Sequence, residues 1–174
     1  MYALSKNITQ LLNYSRIHRK KIVLATGVFD VLHEEHQRFL RNAAKLGDYL
    51  LVAVETDKRV RQLKGAGRPI NTLEVRMNAL EGLGIASAVF PLPEMFSNPK
   101  DHEDFISLIK PDFLAVSSHT PHIDNKRRVL ERYGGRLEVV LQQNPSVSST
   151  KLIQKKWDEK APKKSFKRRP RPVG

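Results

Sequence analysis

The chain has 174 residues, of which 40% are hydrophobic, with no cysteine and a formal net charge of +13. That length suits one domain around one sizeable core, and no apolar run nears the roughly 20 residues that cross a bilayer. The missing cysteines exclude disulfides, thiolate metal sites and cysteine nucleophiles, and fit a reducing compartment such as the cytoplasm.

The chain opens basic, and its first acidic residue is Asp30. An acid-free basic start is also a feature of transit peptides, which keeps an organelle matrix as the alternative location. Ile8, Leu11, Leu12 and Tyr14 recur at helical spacing, however, and predict a helix packed beside the first strand. Strands are predicted at 22–26, 49–54, 86–90, 113–116 and 137–141. Between the first two, Phe39, Leu40, Ala43, Ala44 and Leu46 mark a helix over 34–46, stopped by Gly47. Lys64-Gly-Ala-Gly-Arg68 reads as a glycine-flanked loop. Asn71 or Thr72 caps a helix through Leu73, Val75, Met77 and Leu80 that ends near Gly82. Asp101 opens the next, through Phe105, Ile106, Leu108 and Ile109, and Lys110-Pro111 closes it. A helix over 127–133 precedes Gly134-Gly135. Ser148 or Ser149 caps a last one through Leu152, Ile153 and Trp157.

Residues 151–174 hold ten Lys/Arg against Asp158 and Glu159, a net +8, leaving +5 for the first 150. From Asp158 onward only Phe166 could anchor a core, so 158–174 is expected to be a disordered basic tail behind a domain spanning 1–157. Lys163, Lys164, Lys167, Arg168 and Arg169 could contact RNA or ribonucleoprotein phosphates, or simply remain solvated.

Strands alternating with helices imply right-handed crossovers and a Rossmann-like, doubly wound parallel sheet of about five strands. Ligands of such sheets bind beyond the carboxyl ends of the strands, at the topological switch point. Gly27-Val-Phe-Asp-Val-Leu-His-Glu-Glu-His36 follows the first strand and therefore stands at that edge. His33 and His36, three residues apart at a helix start, share a face. The helix N-terminus adds free N–H groups and positive dipole, suited to a nucleotide phosphate. A metalloprotease reading fails, since H-E-x-x-H needs histidine at 37, where the chain has Gln37. No protein metal site is expected.

This passage resembles the G-x-F-D-x-x-H-x-G-H signature of the cytidylyltransferase-like nucleotidyltransferases. The resemblance continues in order through Leu46-Gly-Asp-Tyr-Leu-Leu-Val-Ala-Val54, Val60-Arg-Gln-Leu-Lys-Gly-Ala-Gly-Arg-Pro-Ile-Asn71, Arg76 and Ser148-Ser-Thr-Lys-Leu-Ile153. Together these look like the sugar-phosphate branch, and in particular the adenylyltransferase domain of ADP-heptose synthase; glycerol-3-phosphate cytidylyltransferase is a more distant relative. The resemblance implies nucleotidyl transfer from ATP or CTP to a phosphorylated sugar or polyol, with pyrophosphate leaving and Mg²⁺ accompanying the NTP. It assigns His33, His36 and Lys64 to the reacting phosphates. Gly27, Phe29, Asp30, Arg76, Ser149 and Thr150 would bind the nucleotide, and a homodimer is compatible with it. Taken alone, Arg76 fits a surface pair with Glu74 or Glu81 equally well.

Two positions depart from the family pattern. Glu35 stands where the family has glycine, whose missing Cβ lets the nucleotide approach the backbone. A like charge 4 Å from a phosphate costs about 4 kcal/mol at an effective dielectric near 20. After the fourth predicted strand the family's Lys-Gly-Gly-Asp-like segment is replaced by Ser117-Ser-His-Thr-Pro121. The alternative function is therefore a catalytically degenerate scaffold that docks on RNA or a ribonucleoprotein through its tail.

Overall fold

Ile22, Val23, Leu24 and Ala25 are all buried, although strand geometry turns them alternately to opposite faces. A strand apolar on both faces belongs inside a parallel sheet covered on both sides. The computed structural model, which describes residues 3–94, 96 and 98–142, has that arrangement. Its elements in chain order are α1 (Lys6–Ile17), β1 (Ile22–Gly27), α2 (Glu34–Ala44), β2 (Tyr49–Val54), α3 (Asp57–Lys64), α4 (Leu73–Glu81), β3 (Ala88–Pro91), α5 (Pro99–Ile109), β4 (Phe113–Ser117), α6 (Ile123–Arg132) and β5 (Arg136–Leu141). The five strands are parallel in the order β3-β2-β1-β4-β5.

Two cores lie either side of the sheet. Ile22 and Leu24 pack with Ile8 and Leu12 of α1, Phe105 and Ile109 of α5, and Leu130 of α6. Val23 and Ala25 pack with Phe39, Leu40 and Ala43 of α2 and Leu80 of α4. The predicted N-terminal helix is thus part of the first core. The sheet's amino edge is clamped by carboxylates. Asp48 accepts from the Lys21 N–H at 2.7 Å and Asp112 from the Ile22 N–H at 2.9 Å. Gly47 is required beside this clamp, because a Cβ there would meet the Lys21 carbonyl oxygen at 2.8 Å.

Several boundaries differ from the sequence expectation, each for a local reason. Asn98, not Asp101, caps α5; Asp101 is its N3 partner in a capping box, with Pro99 at the helix start. The predicted start at Asp101 was the returning half of that pair. Helix α6 begins at Ile123 rather than 127, after His122 in a left-handed conformation. Helix α3 occupies a stretch predicted without a helix. Val60 is its one buried residue, so no apolar period announces it. Of the two expected cap candidates for α4, Thr72 is the one used, accepting from the Val75 N–H. The predicted helix after Ser148, and the tail, lie outside the described residues. Among the described residues no helix is long and apolar enough to cross a membrane.

Candidate active site

Strand order reverses at β1, since β2 and β3 lie on one side of it and β4 and β5 on the other. Beyond the carboxyl ends of β1 and β4 opens a cavity of about 680 Å³, lined by Gly27, Phe29, Asp30, His33, His36 and Lys64 among others. This is where an open α/β sheet accommodates ligands.

The turn leaving β1 is held from below. Phe29 adopts a left-handed φ of 49°, a conformation that non-glycine residues rarely take. Its ring lies over Gly27, where a Cβ would meet it at 2.9 Å. Asp30, buried beneath, accepts from Arg68 Nε at 2.7 Å, the Ile70 N–H at 2.8 Å and the Asn71 N–H at 2.9 Å. The Asn71 side-chain amide donates to the Asp30 carbonyl. Burial alone would raise the Asp30 carboxyl. The Asn71 and Ile70 amides and the Arg68 guanidinium outweigh burial and hold its pKa below the ordinary value. Asp30 lines the cavity, but its carboxylate is spent on pinning the 68–71 loop against the histidine turn.

His33 is the N-cap residue of α2, and its side chain makes no cap bond. Its ring stacks on that of His36, with centroids 3.9 Å apart and planes inclined at 23°. Phe29 meets the His36 ring edge-on at 5.4 Å. The sequence expectation that both histidines face one crevice is therefore met in geometry. Burial is the main cause that pushes His36 down to about 4, with the nearby His33 and Lys64 charges adding to it. His33 is also lowered by burial, partly offset by Glu35. Lys64 ends α3 at the cavity rim. Desolvation lowers its ammonium pKa, and the Arg68 charge adds to the shift.

The histidine shifts carry a sign for stability. A folded pKa near 4 against about 6.5 unfolded means the unfolded chain binds more protons between those values, so stability is lost as pH falls through that window. His36 alone accounts for about 3 kcal/mol at most. Glu55, whose carboxyl burial raises, works the other way. The melting temperature is expected to fall between pH 7 and pH 4, and His36→Gln should flatten the decline. A scanning-calorimetry series that left the two profiles parallel would show that His36 titrates normally.

Arg76 occupies a different place from the one expected. It is neither a surface residue nor a cavity-lining one; its side chain is 0% exposed and pairs with Asp57 at 2.7 Å. Nε donates to the Asn71 carbonyl at 3.1 Å and Nη1 to that of Val28 at 2.6 Å. Nη2 donates to the Glu55 carbonyl at 2.8 Å and to Asp57 Oδ1. Four of five guanidinium hydrogens are committed. The arginine joins the β1 turn, the end of β2, α3 and the α4 cap, and thereby shapes the cavity from behind. Neither Glu74 nor Glu81 is its partner. The reason is tertiary: Asp57, Val28 and Glu55 converge on it from separate parts of the chain.

Glu35 does line the cavity. Its side chain is 11% exposed, and Oε1 accepts from the 57%-exposed Arg38 at 2.7 Å. Its Oε2 is buried and unpartnered. Ser117, Thr120, Pro121 and His122 line the opposite wall. The cation on that wall is Lys126, one helical turn into α6. With Glu55, His102 and Asn125 it forms a polar group that the sequence reading did not single out. Glu55 directly follows β2, and residues after strand carboxyl ends are the signal that could have found it. Ser149, Thr150, Lys163, Lys164, Lys167, Arg168 and Arg169 lie outside the described residues.

The donor set does not build a cage for a divalent cation. Among the described residues no three His, Cys, Asp or Glu converge on one point. Of the cavity-lining carboxylates beside the histidine turn, Asp30 is held by the 68–71 loop and Glu35 by Arg38 through Oε1 alone.

The cytidylyltransferase-like family profile matches residues 24–155 of this chain. The bifunctional protein HldE of Blochmanniella pennsylvanica is 41% identical over 137 residues, covering 78% of this chain and 28% of its own length. That of Pseudomonas savastanoi pv. phaseolicola is 40% identical over 144 residues, covering 81% and 29%. The chain thus spans less than a third of these curated relatives. In fold it is similar to the lipopolysaccharide core biosynthesis protein from Thermoplasma volcanium (TM-score 0.57, 24% identity, 72% of this chain and 98% of that one). It is also similar to the pantothenate synthetase of Thermus thermophilus (TM-score 0.54, 16% identity, 87% and 67%).

Proposed function

The chain belongs to the cytidylyltransferase-like family, and from that premise we propose that it transfers a nucleotidyl group from ATP or CTP to a phosphorylated sugar or polyol. The observation that carries this reading is the stacked His33–His36 pair at the start of α2, lining the same cavity as Lys64, whose charge lies near His36. The HldE relatives support a sugar phosphate as acceptor.

In the reaction an acceptor phosphate oxygen attacks the α-phosphorus of the NTP. The bond from that phosphorus to the bridging oxygen breaks, and pyrophosphate leaves with the electron pair. No covalent enzyme intermediate is needed, so the protein's contribution is positioning and charge stabilisation. Neutral His33 and His36 rings donate N–H groups to the phosphate oxygens, and the Lys64 ammonium offsets the charge that develops as pyrophosphate departs. Mg²⁺ would arrive on the triphosphate as part of the substrate, because this cation keeps most of its waters and few protein ligands. No step here depends on it.

Glu35 is the chief electrostatic obstacle, and Arg38 moderates it. A bare carboxylate against a phosphate would approach three decades in affinity; a 2.7 Å partner leaves a smaller penalty. Glu35→Gly should therefore tighten ATP or CTP binding at least tenfold, even though glycine costs the helix about 1 kcal/mol. Calorimetry on both proteins checks this, and equal affinities would clear Glu35 of any opposing role. The function itself is tested by sugar-phosphate-dependent release of pyrophosphate from ATP or CTP. Tight NTP binding with no release for any pairing would replace the enzyme by a nucleotide-binding scaffold.

A further inference from the structure

The cavity has two chemically different walls. One carries the histidine pair and Lys64. The other is built from Glu55 after β2, His102 in the first turn of α5, and Asn125 and Lys126 in α6. These four come from three separate connections and meet only across the switch point. Apolar surface completes the wall. The Phe96 ring packs against His102 with centroids 3.9 Å apart, and Ile106 lines the cavity beside it.

This wall holds a polar atom with no hydrogen-bond partner: Glu55 Oε2 is buried and unbonded, with the Arg59 charge nearby. Unmet buried donors and acceptors are costly, and in native proteins they usually mark a place for a ligand or water. Glu55 and Lys126 line the same cavity. Burial raises the Glu55 carboxyl, opposed by Arg59 and then Lys126, and lowers the Lys126 ammonium, opposed by Glu55. His102 lines the same cavity, and its pKa is lowered first by burial and next by Lys126.

The mixture of groups limits what they can bind. A triphosphate would be repelled by Glu55, and a purely apolar ligand would leave Glu55 and Lys126 unsatisfied. A polyhydroxylated body answers both. Neighbouring hydroxyls donate to the carboxylate and accept from the ammonium, the imidazole completes the set, and the C–H face of the ring packs on the aromatic pair. We propose that the Glu55–His102–Lys126 wall is the subsite for the polyhydroxylated body of the acceptor, orienting its phosphate toward the histidine wall. The proposal rests on the nucleotidyl-transfer reading and adds to it the residues that choose the acceptor.

Calorimetry on the full chain tests it, with and without a saturating non-hydrolysable ATP analogue. The acceptor probes are mannose 1-phosphate, glucose 1-phosphate, ribose 5-phosphate and glycerol 3-phosphate, with inorganic phosphate as the reference. The best of the four should bind at least tenfold more tightly than inorganic phosphate. Glu55→Gln and Lys126→Met should each weaken it at least tenfold and shift affinity for the ATP analogue by less than twofold. Circular dichroism confirms that both variants are folded. Variants that bind the organic phosphate like the parent, or that lose the ATP analogue in equal measure, would overturn the subsite. An unmodified chain that binds the analogue but prefers none of the four over inorganic phosphate overturns it as well, and leaves nucleotide binding intact. Failure to bind either the ATP analogue or its CTP counterpart would instead sink the transfer reading.

Discussion

His36→Ala is expected to lower kcat/KM for nucleotidyl transfer by about 10²- to 10³-fold, the usual cost of removing one preorganised donor from a developing charge. The ring is fixed between His33 and Phe29, so the loss should appear in kcat rather than in KM alone. His36→Gln, which keeps a donor at similar reach, should recover part of the rate. Steady-state pyrophosphate release on the three proteins decides it. A full-rate alanine variant would remove His36 from the chemistry and leave Lys64 as the principal candidate.

Arg76→Ala should produce the largest loss of stability. The substitution strands three backbone carbonyls and the Asp57 carboxylate that now accept from one guanidinium. Removing one partner of a buried ion pair costs about 3–5 kcal/mol. Urea unfolding measures it, and Arg76→Lys should recover little, because an ammonium cannot reach four acceptors placed around a planar fork. If the residue served phosphates instead, the alanine variant would unfold like the parent and lose only nucleotide affinity.

These two residues also mark where sequence reasoning reaches and where it ends. The β1–turn–α2 passage was legible because its evidence is local. An apolar run, a glycine, and two histidines at i and i+3 fix both the element boundaries and the direction of the rings. The sheet was legible for a similar reason, since every strand is short and carries a run of apolar residues, with β5 alone interrupted by a charge at Glu138. Arg76 was not legible. Its burial depends on Val28, Glu55 and Asp57, none of which is near it in sequence, and neighbouring Glu74 and Glu81 offered an easier local partner. Glu55, His102 and Lys126 escaped for the same reason: each is an ordinary charged residue until the chain reversal at β1 brings it to the cavity. Glu35 falls between the two cases. Its place at the histidine turn is visible in the sequence, but its pairing with Arg38, one helical turn on, depends on side-chain rotamers that the sequence does not set.

The carboxylate clamp at the amino edge has a consequence for how the chain folds. Asp112 bonds the Ile22 N–H across 90 residues, and β4, which begins next to it, covers the second edge of β1. Until β4 is available, β1, a central strand buried on both faces, is only half paired. Such a distant contact is won late, because loop-closure entropy must be met before the pairing rewards it. During synthesis at the ribosome, α2 and β2 can assemble on one side of β1 while the other side still presents bare N–H and C=O groups. Exposed apolar strand edges invite pairing with other chains. A chain ending before Phe113 should therefore aggregate rather than fold to a smaller domain.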